Sequence, residues 1–136
     1  MTVARLQISV PGQGLHELTR QVEEVVAGSG ISEGLCTVFI QHTSASLIIQ
    51  ENADPSARRD LEQWLSRLVH EGDPIFTHTL EGADDMPSHI KSALTATSLS
   101  IPVTGGRLAL GTWQGIYLWE HRHGSRRRSV VVHVGP

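Results

Sequence analysis

The chain has 136 residues, 39% of them hydrophobic and 18% charged, with a formal net charge of -3 and a pI near 6.2. That length makes one domain, residues 1–136, able to bury roughly two-thirds of the surface of its unfolded chain. The charge gives no reason to expect nucleic acid or an anionic membrane as partner. A single cysteine excludes an intramolecular disulfide and a Cys-rich zinc site. With no signal-peptide pattern at the start and no apolar run near about 18 residues, the expected location is cytoplasmic.

Residues 3–10 alternate apolar Val3, Leu6, Ile8 and Val10 with polar Arg5, Gln7 and Ser9, the pattern of a half-buried strand. After the turn at Pro11-Gly12-Gln13-Gly14, Leu15, Leu18, Val22, Val25 and Val26 recur at helical spacing, and Gly28-Ser29-Gly30 ends that helix. His16 then falls on its solvated face. Residues 34–41 form an apolar strand in which Cys36 reads as a small buried hydrophobe. Residues 45–50 are a further strand, or its continuation past a kink at Thr43-Ser44.

Asp54 as N-cap and Pro55 in the first position start a helix with Leu61, Trp64, Leu65 and Leu68 on one stripe, stopped by Gly72-Asp73-Pro74. His70 in its last turn is accounted for by the helix dipole. A short helix over 87–96 and strands over 98–103, 107–110, 113–120 and 126–134 complete the chain. This order predicts an α+β fold of antiparallel or mixed sheets, sandwich- or barrel-like, with two main helices and one short one. The strands after Gly111 are partly apolar on both faces, which points to an oligomer formed through a sheet face or edge.

Eight histidines are many for this length. The segment from His78 to His89 carries both imidazoles together with Glu81, Asp84 and Asp85, and a second polar stretch, Gln41-His42-Thr43-Ser44-Ala45-Ser46, ends an apolar strand. His42, His78 and His89 are the metal candidates, because three protein ligands and an open position describe a catalytic zinc site. Spacing alone leaves open whether they share an ion or only satisfy buried polar groups. Asp85, just before Met86-Pro87, reads as the cap of the short helix, and Asp84 stays open between catalysis and orientation of an imidazole. Thr43, Ser44 and Ser46 lack a nucleophile elbow and fit hydrogen bonding to a polar ligand or to the bent backbone. In Arg126-Arg127-Arg128, strand alternation sends Arg126 and Arg128 to one face and Arg127 to the other. Their guanidinium groups suit phosphate or carboxylate, or protect an edge strand.

On these residues the chain resembles the YjbQ family, also called UPF0047. The matching motifs are Gln41-His42-Thr43-Ser44-Ala45-Ser46-Leu47, Glu51-Asn52-Ala53-Asp54-Pro55 and Glu81-Gly82-Ala83-Asp84-Asp85-Met86-Pro87-Ser88-His89-Ile90-Lys91. Gly111-Thr112-Trp113-Gln114-Gly115-Ile116, Glu120-His121-Arg122 and Ser125-Arg126-Arg127 follow in order. The match covers essentially the whole chain and differs only in the length of the turn around His123.

The resemblance implies an α+β homotrimer with a polar pocket, and a secondary thiamine-phosphate synthase activity. It implies that His42, His78 and His89 form the metal or catalytic set. It implies pocket or interface roles for Glu51, Asp84, Trp113, Gln114, Glu120, His121, Arg126 and Arg127. The synthase reaction calls for Mg²⁺ held by carboxylates such as Asp84 and Glu51, with Arg126 or Arg127 neutralising the departing pyrophosphate. Three imidazoles suit Zn²⁺ better.

The expectation is therefore a metal-dependent enzyme, hydrolytic or lyase-like, acting on a small phosphorylated or carboxylated metabolite. His42, Asp84, Glu51 and Glu120 are its catalytic candidates, and Thr43, Ser44, Ser46, Trp113, Gln114, Arg126 and Arg127 its substrate-binding ones. The alternative is a non-catalytic trimeric module that binds a metal or an anion.

Overall fold

A computed structural model describes residues Met1–Pro136. Eight strands and three helices follow in the order β1 (Thr2–Val10), β2 (Gly14–Glu17), α1 (Thr19–Ser29), β3 (Gly34–Ile40), β4 (Ala45–Glu51), α2 (Pro55–Leu68), α3 (Asp85–Leu94), β5 (Ser98–Thr104), β6 (Arg107–Leu108), β7 (Gln114–Glu120) and β8 (Arg126–Gly135). The fold is α+β. Every strand pairing is antiparallel, in a five-stranded sheet β1-β8-β3-β5-β6 and a three-stranded sheet β2-β7-β4. A single bridge between Leu47 and Ala96 ties the edge of the small sheet to the chain entering β5.

The inner faces of the two sheets share one core. Val38, Ile40, Val130, Val132 and Val134 of the large sheet meet Ala45, Leu47, Ile116 and Leu118 of the small one, and α1 adds Val22 and Val26. Burial of such side chains stabilises by about 1.5–3 kcal/mol each relative to exposure. On the outer face of the small sheet, Tyr117 and Trp119 pack with Leu15 and with Leu65 of α2. Strand β7 is thus buried on both sides, with Ile116 and Leu118 facing the core and Tyr117 and Trp119 facing α2. Its two-sided apolarity is met within one chain and does not by itself call for a partner subunit. No helix of the chain is long and apolar enough to cross a membrane.

Several boundaries differ from those the sequence pattern predicts. Residues 14–17 are strand rather than helix, because they pair with Tyr117–Glu120 of β7 and bury Leu15 against the small sheet. His16 consequently lies on a strand, its Nε2 2.7 Å from the Gly12 carbonyl oxygen. Helix α2 stops at Leu68, where Val69 turns extended and donates its N–H to Leu65 O. Trp64 and Leu68, placed by periodicity on the apolar stripe, are exposed, since the small sheet receives only Leu61 and Leu65. Strand β6 is two residues long where four were expected. The caps read correctly: Asp54 Oδ1 accepts the N–H of Ser56 at 2.9 Å, and Gly30 closes α1 in the left-handed region at φ 71.

Candidate metal centre

Helix α3 begins two residues earlier than its proline suggested, and that shift makes the site. Asp84 sits at the N-cap position without a side-chain cap bond, so Asp85 is the first helical residue and not a cap. Asp85 and His89 are then one turn apart on a single helix face. His78 arrives on the irregular segment between α2 and α3. Asp85 Oδ2 lies 2.8 Å from His78 Nε2 and 3.1 Å from His89 Nε2, and one ligand atom from each residue lies within 4.8 Å of the others. The Asp85 side chain is 4% exposed against 48% for His78 and 30% for His89, so the group opens to solvent on its imidazole side.

The hydrogen bonds fix the His89 ring. Its Nδ1 lies 3.0 Å from the Thr43 carbonyl oxygen. A carbonyl can only accept, so Nδ1 carries a proton, and the neutral ring then has its lone pair at Nε2. That lone pair faces the Asp85 carboxylate. The contact is attractive only if the ring gains a second proton or a cation shares the space. An Nδ1–H bound to a backbone carbonyl with a free Nε2 is also how metal-ligating histidines are held.

Behind the centre, Arg122 reaches Asp85 Oδ1 at 3.5 Å and donates to Asp84 through Nε at 3.3 Å and Nη2 at 3.1 Å. Asp84 Oδ2 also accepts the His123 N–H at 2.9 Å. Burial pushes both carboxyls up. For Asp85 the hydrogen bond from His78 and the charges of His89 and Arg122 outweigh it, and for Asp84 the bonds from Arg122 and His123 do so. Both stay below the ordinary aspartate value. Asp84, a catalytic candidate from sequence, is engaged on both oxygens as the anchor of Arg122.

A second polar network lies at the start of β4 and the end of β7. Glu120 has no exposed surface and receives Arg128 through Nε at 2.6 Å and Nη2 at 2.5 Å, with the Arg122 N–H at 3.0 Å. With its oxygens so occupied, Glu120 acts as a structural tie, where the sequence suggested catalysis. Ser46 Oγ lies 2.8 Å from Nε2 of His121, a residue 1% exposed. Burial, helped by the charges of Lys91 and Arg128, pushes the His121 pKa down to about 3. The unfolded ring takes its proton near pH 6.5 and the folded one near 3, so the unfolded chain binds more protons between these values. Stability is expected to be full above pH 6.5 and to fall progressively toward pH 3, a slope that His121→Gln should reduce. Urea unfolding at a series of pH values measures it.

The structure does not bring His42 into the centre. Its Nε2 accepts the Ser129 N–H at 2.8 Å, so the neutral ring is protonated at Nδ1 and neither nitrogen offers a free lone pair. Burial, then Arg128, pushes its pKa down against the opposing charge of Glu120. His42 and Thr43 instead border a surface depression of about 240 Å³ that His89 also lines. Thr43 and Ser44 act through their carbonyls, toward His89 and Arg128, rather than through their hydroxyls.

Glu51, Trp113 and Gln114 lie at the opposite end of the small sheet, where Glu51 pairs with Gln114 while Ala45 pairs with Glu120. There Glu51 Oε2 accepts the Asp54 N–H at 3.2 Å and Gln114 Oε1 the Gly111 N–H at 2.8 Å, while Trp113 is 65% exposed. Arg126 donates to the His123 carbonyl at 2.8 Å, Arg127 points outward, and Arg128 is the arginine that goes inside. From sequence, Asp85 reads as a helix cap, Arg128 as one of three arginines suited to an anion or to a protected edge, and Arg122 has no site role. The i,i+4 spacing of Asp85 and His89 was the signal available for the first.

Comparison with known proteins bears on the family and the fold. Residues 4–136 match the family model described as UPF0047 protein YjbQ-like. The chain is 54% identical to the UPF0047 protein sll1880 of Synechocystis over 129 residues, which is 95% of this chain and 88% of that protein. It is 45% identical to the UPF0047 protein YjbQ of Escherichia coli O157:H7 over 96% of this chain and 95% of that one. Among solved structures, the conserved hypothetical protein TT1486 of Thermus thermophilus superposes with a TM-score of 0.87 at 36% identity, covering 97% of this chain and 99% of that one. A YbjQ-like protein of unknown function, SSO2532 of Sulfolobus solfataricus, does so at 0.86 and 26% identity, covering 98% and 96%. Fold, length and motifs together make the chain a member of the YjbQ-like UPF0047 family.

Proposed function

We propose that the protein is a metal-dependent enzyme acting on a small phosphorylated or carboxylated metabolite, with His78, Asp85 and His89 holding the divalent cation. The observation that carries this reading is the convergence of three ligand atoms: the His89 ring, held by Thr43, and His78 both bring Nε2 to one buried carboxylate oxygen, at 3.1 and 2.8 Å. Two imidazoles and one carboxylate suit Zn²⁺ or its neighbours and suit Mg²⁺ poorly. That donor set argues against the synthase reaction as the main activity. Bound there, the cation supplies Lewis-acid activation of water or of a substrate oxygen.

The chain's own groups do the rest. Thr43 orients His89, Arg122 holds Asp85 and Asp84 in place, and the depression beside His42 and Thr43 gives the substrate a surface next to the centre. The reading also takes the protein as a cytoplasmic homotrimer. Glu51, Trp113 and Gln114 lie roughly 20 Å along β4 from Ala45, at about 3.3 Å per residue, and from there a neighbouring copy would present them to the centre. Exposed Val3, Leu35 and Phe39 on the outer face of the large sheet offer an apolar contact for assembly.

Elemental analysis of untagged protein, with light scattering for mass, tests the reading. One zinc-type ion per chain, lost in His89→Ala, is expected together with turnover of phosphate esters or lactones by the wild type alone. Stoichiometric metal without turnover of those compounds or of thiamine precursors would assign the non-catalytic binding module instead. Metal retained in full by His89→Ala would remove the centre.

A further inference from the structure

The structure carries a second polar cleft that the metal centre does not use. Helix α3 turns His89 toward Thr43 and Asp85, while Lys91, two residues on, faces the other way into a cleft of about 180 Å³ between β2, α2 and the end of β7. Its walls include Gln13, Glu62, Ser66, Trp119 and His121. Lys91 is 5% exposed. An ammonium group on so buried a side chain ordinarily has an oxygen partner in the protein, because leaving its hydrogen bonds to be made from outside is unusual for a group that is mostly enclosed. Here no carboxylate approaches Nζ within 4.0 Å. The two carboxylates whose field reaches it are committed elsewhere, Asp84 to Arg122 and Glu71 to His123.

The rest of the cleft is built rather than left over. Gln13 Nε2 donates to the His121 carbonyl at 3.0 Å, and the Trp119 and His121 rings meet at a 42° tilt with centroids 5.5 Å apart. Glu62 Oε2 accepts the Leu15 N–H at 2.8 Å, against a glycine whose hypothetical Cβ would lie 2.3 Å from that oxygen. Gly14, at φ 130, is required by its backbone, and it leaves room for the close approach of Glu62. One wall thus presents an unpaired ammonium donor and another a carboxylate fixed in place.

We propose that this cleft binds a small oxyanion-bearing metabolite, with its carboxylate or phosphate on Lys91 and a hydroxyl or amine of the same molecule on Glu62. The site stands on its own residues and does not rest on the metal-dependent reading. Neither His78 nor Asp85 lines it.

Isothermal titration of the full chain with glycolate, acetate and inorganic phosphate tests it. Glycolate is expected to bind more tightly than acetate, which lacks the hydroxyl. Lys91→Met should weaken all three roughly ten- to a hundredfold, the range for a lost charge-assisted hydrogen bond. Glu62→Gln should shrink the glycolate preference and spare acetate. Asp85→Asn should leave every titration unchanged, which separates this cleft from the metal centre. Should Lys91→Met not fold, Ser66→Trp fills the cleft from an exposed position of α2 and should abolish binding. Equal affinity in Lys91→Met or Ser66→Trp, or no binding by the wild type, would overturn the proposal, as would loss of binding in Asp85→Asn.

Discussion

Arg128→Met is expected to lower the unfolding free energy by about 3–5 kcal/mol, the usual cost of removing one partner from a buried ion pair. Arg128 is 5% exposed at its side chain and Glu120 not at all, and two guanidinium nitrogens meet the carboxylate at 2.6 and 2.5 Å. Without Arg128 the Glu120 charge stays inside, with the Arg122 N–H its remaining donor. The loss comes from that orphaned carboxylate more than from the missing attraction. Arg128→Met combined with Glu120→Gln should consequently recover most of the stability, and a double-mutant cycle by urea unfolding reads the coupling. A single-mutant effect under about 1 kcal/mol would place the pair with ordinary surface salt bridges.

Asp85→Asn is the second large effect, on metal binding rather than on folding. The substitution keeps the shape of the side chain and removes its charge, so a cation loses its one anionic ligand. Zinc affinity should drop by more than the roughly 10–100-fold typical of a lost outer partner. Asp84→Asn supplies that comparison, because Asp84 sits behind the centre, where it anchors Arg122 and the His123 N–H. Competition against a chromophoric chelator measures both, with circular dichroism as the control for folding. Equal zinc affinity in Asp85→Asn and wild type would move the ion away from these three residues.

The sequence pattern read the sheets well because their faces are simple. Alternation in residues 3–10 and 126–134 reflects β1 and β8, which pair along their length with one face in the core. Helix periodicity failed at Leu15 and Leu18, whose i,i+3 spacing suits a helix equally well, until β7 claimed residues 14–17 as a third strand. It failed again at Trp64 and Leu68, where a correct apolar stripe outruns the width of the small sheet beneath it.

The site was legible in part. His78 and His89 stood out as polar groups with no core role, and the structure joins them. His42 matched them in residue type yet is spent on the Ser129 N–H, a bond made across 87 residues of chain. Asp85 looked like a cap because a carboxylate before Met-Pro so often is one. A helix starting two residues early turned it into the centre's shared acceptor.

The sequence by itself determined the α+β class, most strands, the caps of α1 and α2 and the family, since these depend on local pattern and on motifs that read in order. Tertiary structure decided which groups meet: His89 and Thr43, Glu120 and Arg128, His121 and Ser46, and the empty hand of Lys91. Each of these relations depends on long-range packing that sets a donor beside an acceptor, or leaves it without one, and residue order alone does not encode that distance.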